Sequence, residues 1–143
     1  MPTHYDHDAY AWALEQAALL RAGKLEQLDI DHIAEEIESM GKSERRALTS
    51  QLARLFMHLL KWEYQPERRS RSWGLSILDA QAKTARLLRD NPSLKGALPE
   101  LVVEAYEDAR RAAAIETDMD LDTFPAECLY GFDEAMAFAP DKA

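Results

Sequence analysis

One apolar period of three- and four-residue steps dominates the sequence. It is carried by Ile30, Ile33, Ile37, Met40, Leu48, Leu52, Leu55, Leu59 and Trp62, and the only step without an apolar residue falls at Glu44. Such spacing places apolar side chains along one side of an α-helix. Because no proline occurs between Ile30 and Pro66, the pattern predicts one helix from Asp31 to Tyr64, about 50 Å long at about 1.5 Å per residue.

Gly41 leaves an alternative open within that period. A glycine inside a helix costs about 1 kcal/mol relative to alanine, but it does not by itself end a well-supported helix. The alternative is two helices broken at Gly41, with Ser43 as the cap of the second. A chain that reverses direction at Gly41 would rule out the single helix.

Shorter helices are predicted on both sides of the long one. The first begins at Asp6 or Asp8, either of which can cap backbone N–H groups, and ends at Gly23. Its apolar stripe consists of Tyr10, Ala13, Leu14, Ala17 and Leu20, widened by Trp12 and Leu19. We expect this stripe to cover the N-terminal half of the long helix.

After the long helix, a third is closed by Asn91-Pro92, a fourth begins near Pro99, and residues 131–138 predict one short helix. No strand pattern or internal repeat occurs. The sequence therefore predicts an all-α fold. We expect an antiparallel helical bundle built around one long central helix, with a short C-terminal helix or loop segment, forming a single domain over residues 1–143.

Charge is distributed in three blocks along the chain. Residues 1–41 hold nine acidic and two basic side chains, residues 42–96 hold five acidic and twelve basic, and residues 97–143 hold twelve acidic and three basic. An acidic–basic–acidic chain can neutralise itself when its helices pack side by side. The net charge of −9 and the pI of about 4.9 argue against general nucleic-acid binding.

The basic turn after the long helix is the strongest functional signal. Arg68, Arg69 and Arg71, with Lys61 just before them, could bind an anion, and the aromatic residues Trp62, Tyr64 and Trp73 flank the turn. A structural explanation competes, since arginines beside a helix C-terminus are favourable and both tryptophans fall on predicted core stripes. The four basic residues are the candidate binding residues.

Other chemistry has weaker support. His32, Glu35 and Glu36 share one helix side, but no second copy of the pattern exists, and an antiparallel hairpin would place His4 and His7 far from His32. No metal site, cofactor or catalytic residue is therefore predicted. The single cysteine, the absence of a signal peptide and the absence of a membrane span favour the cytoplasm.

Helix lengths predict self-association. The long helix is about twice the length of the others, so the fewest neighbouring helices can pack against its half around Ile33, Ile37 and Met40. We expect that half to bind a protein partner, a second copy of the chain being the commonest case. The alternative is that a C-terminal segment with Phe124, Leu129, Phe132 and Phe138 folds back over the gap. The sequence thus favours a protein-interaction or scaffold module, with anion binding at residues 68–71 as the alternative.

Five stretches of the sequence carry a resemblance to a known family. They are residues 10–16, 32–41, 58–62, 65–70 and 105–110, which read YAWALEQ, HIAEEIESMG, HLLKW, QPERRS and AYEDAR. In this order they resemble the bacterial family called domain of unknown function 29. The resemblance implies a small all-helical bacterial protein. It implies no activity and assigns no functional residues.

Overall fold

The computed structural model describes residues 4–140. Within this range lie five α-helices, which are α1 (Ala9–Arg21), α2 (Ile30–Tyr64), α3 (Arg71–Asp90), α4 (Leu98–Thr117) and α5 (Phe132–Ala137). Short 3-10 turns cover Leu25–Gln27, Pro66–Arg68, Pro92–Ala97 and Leu121–Thr123. The described residues contain no strand. The predicted all-α class is confirmed.

The long helix is continuous. α2 spans 35 residues and passes through Gly41 without a break, so the chain does not reverse there. A Cβ atom built at Gly41 would meet nothing within 4 Å, which shows that no neighbour requires a glycine at this exposed position. α2 ends one residue before Gln65, and Pro66 begins the next turn. The single-helix prediction is therefore confirmed.

Local capping chemistry sets the other helix ends. The Asp8 carboxylate accepts a hydrogen bond from the Ala11 N–H at 3.0 Å, so Asp8 rather than Asp6 begins α1. Gly23 has φ 71°, the left-handed conformation that glycine adopts without a Cβ penalty. At α3, the Ser70 hydroxyl accepts from the Trp73 N–H at 3.2 Å. These short side chains satisfy N–H groups that a helix start otherwise leaves unpaired.

The chain packs as two compact units, Met1–Ser43 and Glu44–Ala143. α2 contributes its N-terminal part to the first unit and its longer C-terminal part to the second. Whether the two unfold together as one domain over residues 1–143 stays a prediction. Each unit is considered by itself below.

In the second unit, consecutive helices run in opposite directions. Arg54 of α2 donates to the Asp79 carboxylate of α3 at 2.6 Å, whereas Glu44, earlier in α2, accepts from Asn91 at the end of α3. Arg45 and Lys61 of α2 pair instead with Glu104 and Glu116 of α4, in ascending order. α3 is therefore antiparallel to α2, and α4 runs parallel to α2.

The core of this unit follows the predicted stripes. α4 contributes small side chains at Ala105, Ala109 and Ala113, which let its backbone approach its neighbours closely. Thr84 is fully buried, and its hydroxyl has no hydrogen-bond partner within the described range. The fully or nearly buried apolar residues are Leu48, Leu52, Leu55, Phe56, Leu59, Leu60, Trp62, Ile77, Ala80, Leu88, Leu101, Ala105, Tyr106, Ala109, Ala113, Phe124 and Ala135.

The C-terminal segment packs onto the same unit. Phe124 makes an edge contact with Tyr64, and Phe138 makes one with Trp62. The buried Gln81 amide of α3 donates to the carbonyl oxygens of Ala135 and Phe138, both at 2.9 Å. The aromatic residues of the segment thus meet the C-terminal end of α2. In the first unit, Ile37 and Met40 are 62% and 66% exposed.

The first unit is a helical hairpin with a polar contact at its centre. The Trp12 indole N–H donates to the Asp29 carboxylate at 2.9 Å, and the Gln16 amide oxygen accepts from the Asp29 N–H at 2.8 Å. Trp12 and Gln16 are the buried residues of α1. Because Tyr10 and Leu14 lie on the opposite side of the helix, the predicted apolar stripe of α1 is mainly exposed. The expectation that this stripe packs against α2 was wrong for Tyr10, Leu14 and Leu20, whereas Trp12, which widens the stripe, is buried.

Candidate functional site

The basic turn joins α2 to α3 and is exposed. Arg68 ends the 3-10 turn, Arg69 follows it, and Arg71 is the first residue of α3. None of the three pairs with a carboxylate among the described residues, although Arg45 and Arg54 both do. The turn therefore keeps unneutralised cations in a chain whose net charge is −9.

Arg69 is held in place by the end of α2. Its Nε donates to the Trp62 carbonyl oxygen at 2.8 Å, and its guanidinium carbon lies 5.1 Å from the centroid of the Trp62 ring. The cation therefore stacks on the indole face, an arrangement that favours arginine. With Nε engaged, the two terminal nitrogens remain as donors for another group.

Lys61 is engaged in a different way. Its ammonium lies 3.4 Å from the Glu116 carboxylate and 4.7 Å from the centroid of the Trp73 ring. The side chain is mostly buried between these two partners. Lys61 therefore connects α2 with α4 and α3 through side-chain contacts. The three arginines, by contrast, are exposed on the turn.

A cavity of about 450 Å³ lies beside the turn, at the N-terminal end of α3. Arg69 and Arg71 supply its charged wall, and none of its lining residues is acidic. The complete lining is Trp62, Arg69, Ser70, Arg71, Gly74, Leu75, Leu78 and Pro140. Arg68 and Lys61 do not line it. The positive end of the α3 dipole adds to the field of the two arginines.

Trp62, which lines this cavity, carries an unpaired donor. Its side chain is 8% exposed, and its indole N–H has no hydrogen-bond partner among residues 4–140. A second cavity of about 280 Å³ shares the Trp62 and Arg69 wall, but its lining includes the carboxylates of Glu63 and Glu134. The two cavities therefore have different electrostatics, and the one at the start of α3 favours anions.

Sequence reasoning missed several lining residues of the cavity. Leu75 and Leu78 could have been found, because they are apolar yet lie off the α3 core stripe of Trp73, Ile77 and Ala80. Pro140 gave no comparable signal. Its ring approaches Gly74, where an added Cβ would meet the proline Cβ at 3.2 Å. Only the folded chain brings the two together.

A second candidate surface is the hairpin. Tyr10, Leu14 and Leu20 are exposed on α1, and Ile30, Ile37 and Met40 are exposed on α2. On each helix these positions recur with helical spacing, so they form two apolar stripes rather than scattered residues. Apolar stripes left in contact with water are typical of interaction surfaces.

The N-terminal arm also reaches α2, contrary to expectation. The Tyr5 ring stacks on His32 with centroids 4.1 Å apart, and the Tyr5 hydroxyl donates to Glu36. Residues 22–29 bring the start of α2 back alongside α1, as the Gln16–Asp29 contact shows, and the arm therefore lies beside α2. Within residues 4–140, however, no group of three or more His, Cys, Asp or Glu could hold a metal ion.

Hydrogen bonds shift the titration of this cluster. The Asp29 carboxylate, 2.7 Å from the His32 Nδ1, raises the pKa of that imidazole, and the same contact lowers the pKa of Asp29. The hydrogen bond to Glu36 raises the pKa of Tyr5 to about 12. Elsewhere, burial raises the pKa of the Cys128 thiol, which disfavours the nucleophilic thiolate.

Comparison with known proteins identifies a family whose model matches this sequence. The family model described as "Domain of unknown function DUF29" matches residues 4–139. Curated proteins and solved structures contain no significant match. Among the described residues, no helix is both long and apolar enough to cross a membrane. Since the family model covers nearly the whole chain, this protein belongs to the DUF29 family.

Proposed function

We propose that the protein is a protein-interaction or scaffold module and that its N-terminal hairpin is the binding surface. The observation that carries the proposal is the exposed apolar surface of that hairpin. Tyr10 is 77% exposed, and Leu14, Ile37 and Met40 are each more than half exposed. A partner that covered these side chains would gain about 25 cal/mol per Å² of apolar surface removed from water.

The density of exposed apolar residues distinguishes the hairpin. Among the described residues, seven large exposed apolar side chains fall in the 43-residue unit Met1–Ser43 and six in the much longer unit Glu44–Ala143. The first unit buries only Trp12 and Gln16, whereas the second has an extensive core. The hairpin therefore has more apolar surface to offer a partner, relative to its size, than the second unit.

Charge distinguishes two kinds of partner. The hairpin carries nine acidic and three basic side chains over residues 1–43, a net charge of −6. Two copies joined through their hairpins would repel, so added salt would strengthen a homodimer by screening. A basic amphipathic helix would be attracted, so added salt would weaken its binding. The salt dependence thus separates a second copy from a basic partner.

Analytical ultracentrifugation tests the homodimer first. The chain is sedimented at micromolar concentration in about 0.05 M and about 0.5 M salt, on either side of physiological ionic strength. A mass that rises above 16.3 kDa, and rises further with salt, supports pairing through the hairpins. The variant Leu14→Ser/Ile37→Ser should return the mass to 16.3 kDa. Ile115→Ser, which changes a still more exposed apolar residue on α4, is the control and should have no effect.

A single species at 16.3 kDa under all conditions excludes the homodimer. The hairpin is then titrated with a designed basic amphipathic helical peptide. Binding that weakens with salt and is lost in Leu14→Ser/Ile37→Ser supports the module with a basic helical partner. If the chain neither self-associates nor binds this peptide, the proposed function is wrong.

Anion binding through the basic turn is a second candidate function, because Arg68, Arg69 and Arg71 have no carboxylate partner within residues 4–140 and two of them line a cavity. Calorimetric titration with inorganic phosphate tests it. Replacing all three arginines by alanine should abolish binding and leave the melting temperature within a few degrees, as surface changes usually do. Unchanged affinity in the triple variant would exclude this function. Titration with a single-stranded oligonucleotide tests nucleic acid, which the pI of about 4.9 disfavours.

We also propose that the protein is located in the bacterial cytoplasm. Support comes from the resemblance to a bacterial family and from the single cysteine, Cys128, which is partly buried. Its thiol donates to the Tyr130 carbonyl oxygen at 3.5 Å, within the range of a sulfur hydrogen bond. A free thiol of this kind is typical of a reducing compartment. Fractionation of the source cells tests the location.

A further inference from the structure

The cavity at the start of α3 has two chemically different ends. One end presents Arg69 and Arg71 together with the N-terminus of a 20-residue helix. The other presents Leu75 and Leu78, which are 52% and 44% exposed although they are large and apolar. A fully hydrated inorganic anion would use the first end and leave the leucines in water.

We infer that the cavity binds a small amphipathic anion, namely an organic phosphate or carboxylate that carries a short apolar group. This inference rests on the second function proposed above and specifies its ligand. The anionic group lies against the arginines, and the apolar group covers Leu75 and Leu78. The volume of about 450 Å³ lies within the range of small-molecule sites.

The charged end is arranged for one anion. Arg69 is fixed by its Nε hydrogen bond to the Trp62 carbonyl and by stacking on the indole, so its terminal nitrogens need little further ordering. Arg71 begins α3, next to the cap residue Ser70. The Ser70 hydroxyl already takes the Trp73 N–H, so the N–H groups of Arg71 and Ser72 are the ones left at the helix start to meet an anion.

The buried Trp62 N–H is a separate indication of a ligand. A buried donor without an acceptor is costly, and native structures contain few of them. Trp62 lines this cavity as well as the second one, and an oxygen atom of a ligand is the kind of acceptor that its N–H lacks. The Thr84 hydroxyl likewise has no partner in the described part of the chain, but it does not line this cavity.

Arg68 provides a matched control within the same turn. It carries the same charge and lies one residue from Arg69 and three from Arg71 along the chain, but it does not line the cavity. A general electrostatic attraction would depend on all three arginines. A site in the cavity depends on Arg71 and leaves Arg68 unused. Replacement of each by glutamine keeps a polar side chain of similar length while it removes the charge.

The probes are butyl phosphate, inorganic phosphate and butanol, titrated by calorimetry into the full chain. We expect butyl phosphate to bind about tenfold more tightly than phosphate, because its chain buries apolar surface, and butanol not to bind measurably. Arg71→Gln should weaken butyl phosphate at least about tenfold, the scale of a lost hydrogen bond to a charged group. Arg68→Gln should change its affinity by less than about twofold. Leu75→Ser should remove the preference for butyl phosphate over phosphate.

A second readout is the indole N–H signal of Trp62 in proton–nitrogen spectra. The chain has three tryptophans, and Trp62→Phe identifies the signal. Butyl phosphate should move the Trp62 signal more than those of Trp12 and Trp73. Thermal melting of each variant shows that it is folded before its affinity is compared.

Each outcome distinguishes the inference from the function on which it rests. If phosphate binds as tightly as butyl phosphate and Leu75→Ser changes neither, the anion site stands and the amphipathic ligand is wrong. If Arg68→Gln weakens binding as much as Arg71→Gln, the cavity is not the site. If neither anion binds, both the inference and the anion-binding function fall.

Discussion

Gln81 should hold the C-terminal segment against α3. Its side-chain nitrogen donates to the carbonyl oxygens of Ala135 and Phe138, both at 2.9 Å, and the residue is buried. Because both neighbours are acceptors, the amide nitrogen must face them. Gln81→Leu keeps a similar volume and removes both donors, which leaves two carbonyl oxygens unpaired.

Two lost hydrogen bonds at about 1 kcal/mol each give a destabilisation of about 2 kcal/mol. For a chain of this size, 1 kcal/mol corresponds to about 4 °C, so the melting temperature should fall by roughly 8 °C. Gln51→Leu on α2 is the matched control. Its amide oxygen only accepts from Arg54 at 3.5 Å, so we expect a fall of no more than about 2 °C.

Gln81→Glu tests the direction of the hydrogen bonds. At neutral pH its carboxylate would face two carbonyl oxygens, which raises the folded-state pKa of the new acid above its unfolded value. The stability of this variant should be greatest below the unfolded pKa and should fall as pH rises through the folded one. Differential scanning calorimetry across this range measures the trend. A Gln81→Leu melting temperature equal to that of Gln51→Leu, with a pH-independent Gln81→Glu, would refute the reasoning.

Three further predictions concern stability and titration. Gly41→Ala should raise the free energy of unfolding by about 0.5–1 kcal/mol in denaturant titration, because the helix continues through an open position; a decrease would mean that α2 bends there. Thr84→Val should raise it by about 1 kcal/mol by removing an unpaired buried hydroxyl, and a loss would reveal a hidden partner. The His32 ring should titrate above 6.5 by NMR, and Asp29→Asn should lower that midpoint. The stabilisation from His32 is complete below pH 6.5 and is lost as pH rises through the raised pKa of His32. The stabilisation from Asp29 is lost as pH falls through the lowered pKa of Asp29.

The parts of the fold that depend on local chemistry could be predicted from the sequence. The period from Ile30 to Trp62 specified α2 because side chains three and four residues apart share a helix side. Asp8, Gly23 and Pro66 marked helix ends because each acts on the backbone beside it. At Gly41, the free-energy cost of one glycine is too small to end a helix that is well supported on both sides.

The direction in which α1 faces could not be predicted from its apolar period. Tyr10 and Leu14 formed the more regular stripe, yet Trp12 and Gln16 are buried because Asp29 offers each a hydrogen bond. That contact depends on how residues 22–29 return the chain to α1. The cavity could not be predicted from the sequence either, because its wall consists of the end of α2, the start of α3 and Pro140. The three arginines were found as a local cluster, but the separation of Arg68 from the other two required the fold.

Because the buried contact between α1 and α2 is small, Asp29 affects how strongly a partner binds the hairpin. Trp12 and Gln16 both hydrogen-bond Asp29, the residue before α2, so loss of these hydrogen bonds would favour opening of the hairpin. A partner that recognises only the closed hairpin binds with an apparent affinity reduced in proportion to the closed fraction. Its binding in turn stabilises the closed form by mass action. Substitutions at Asp29 would therefore tune the strength of the interaction without altering any side chain that the partner touches.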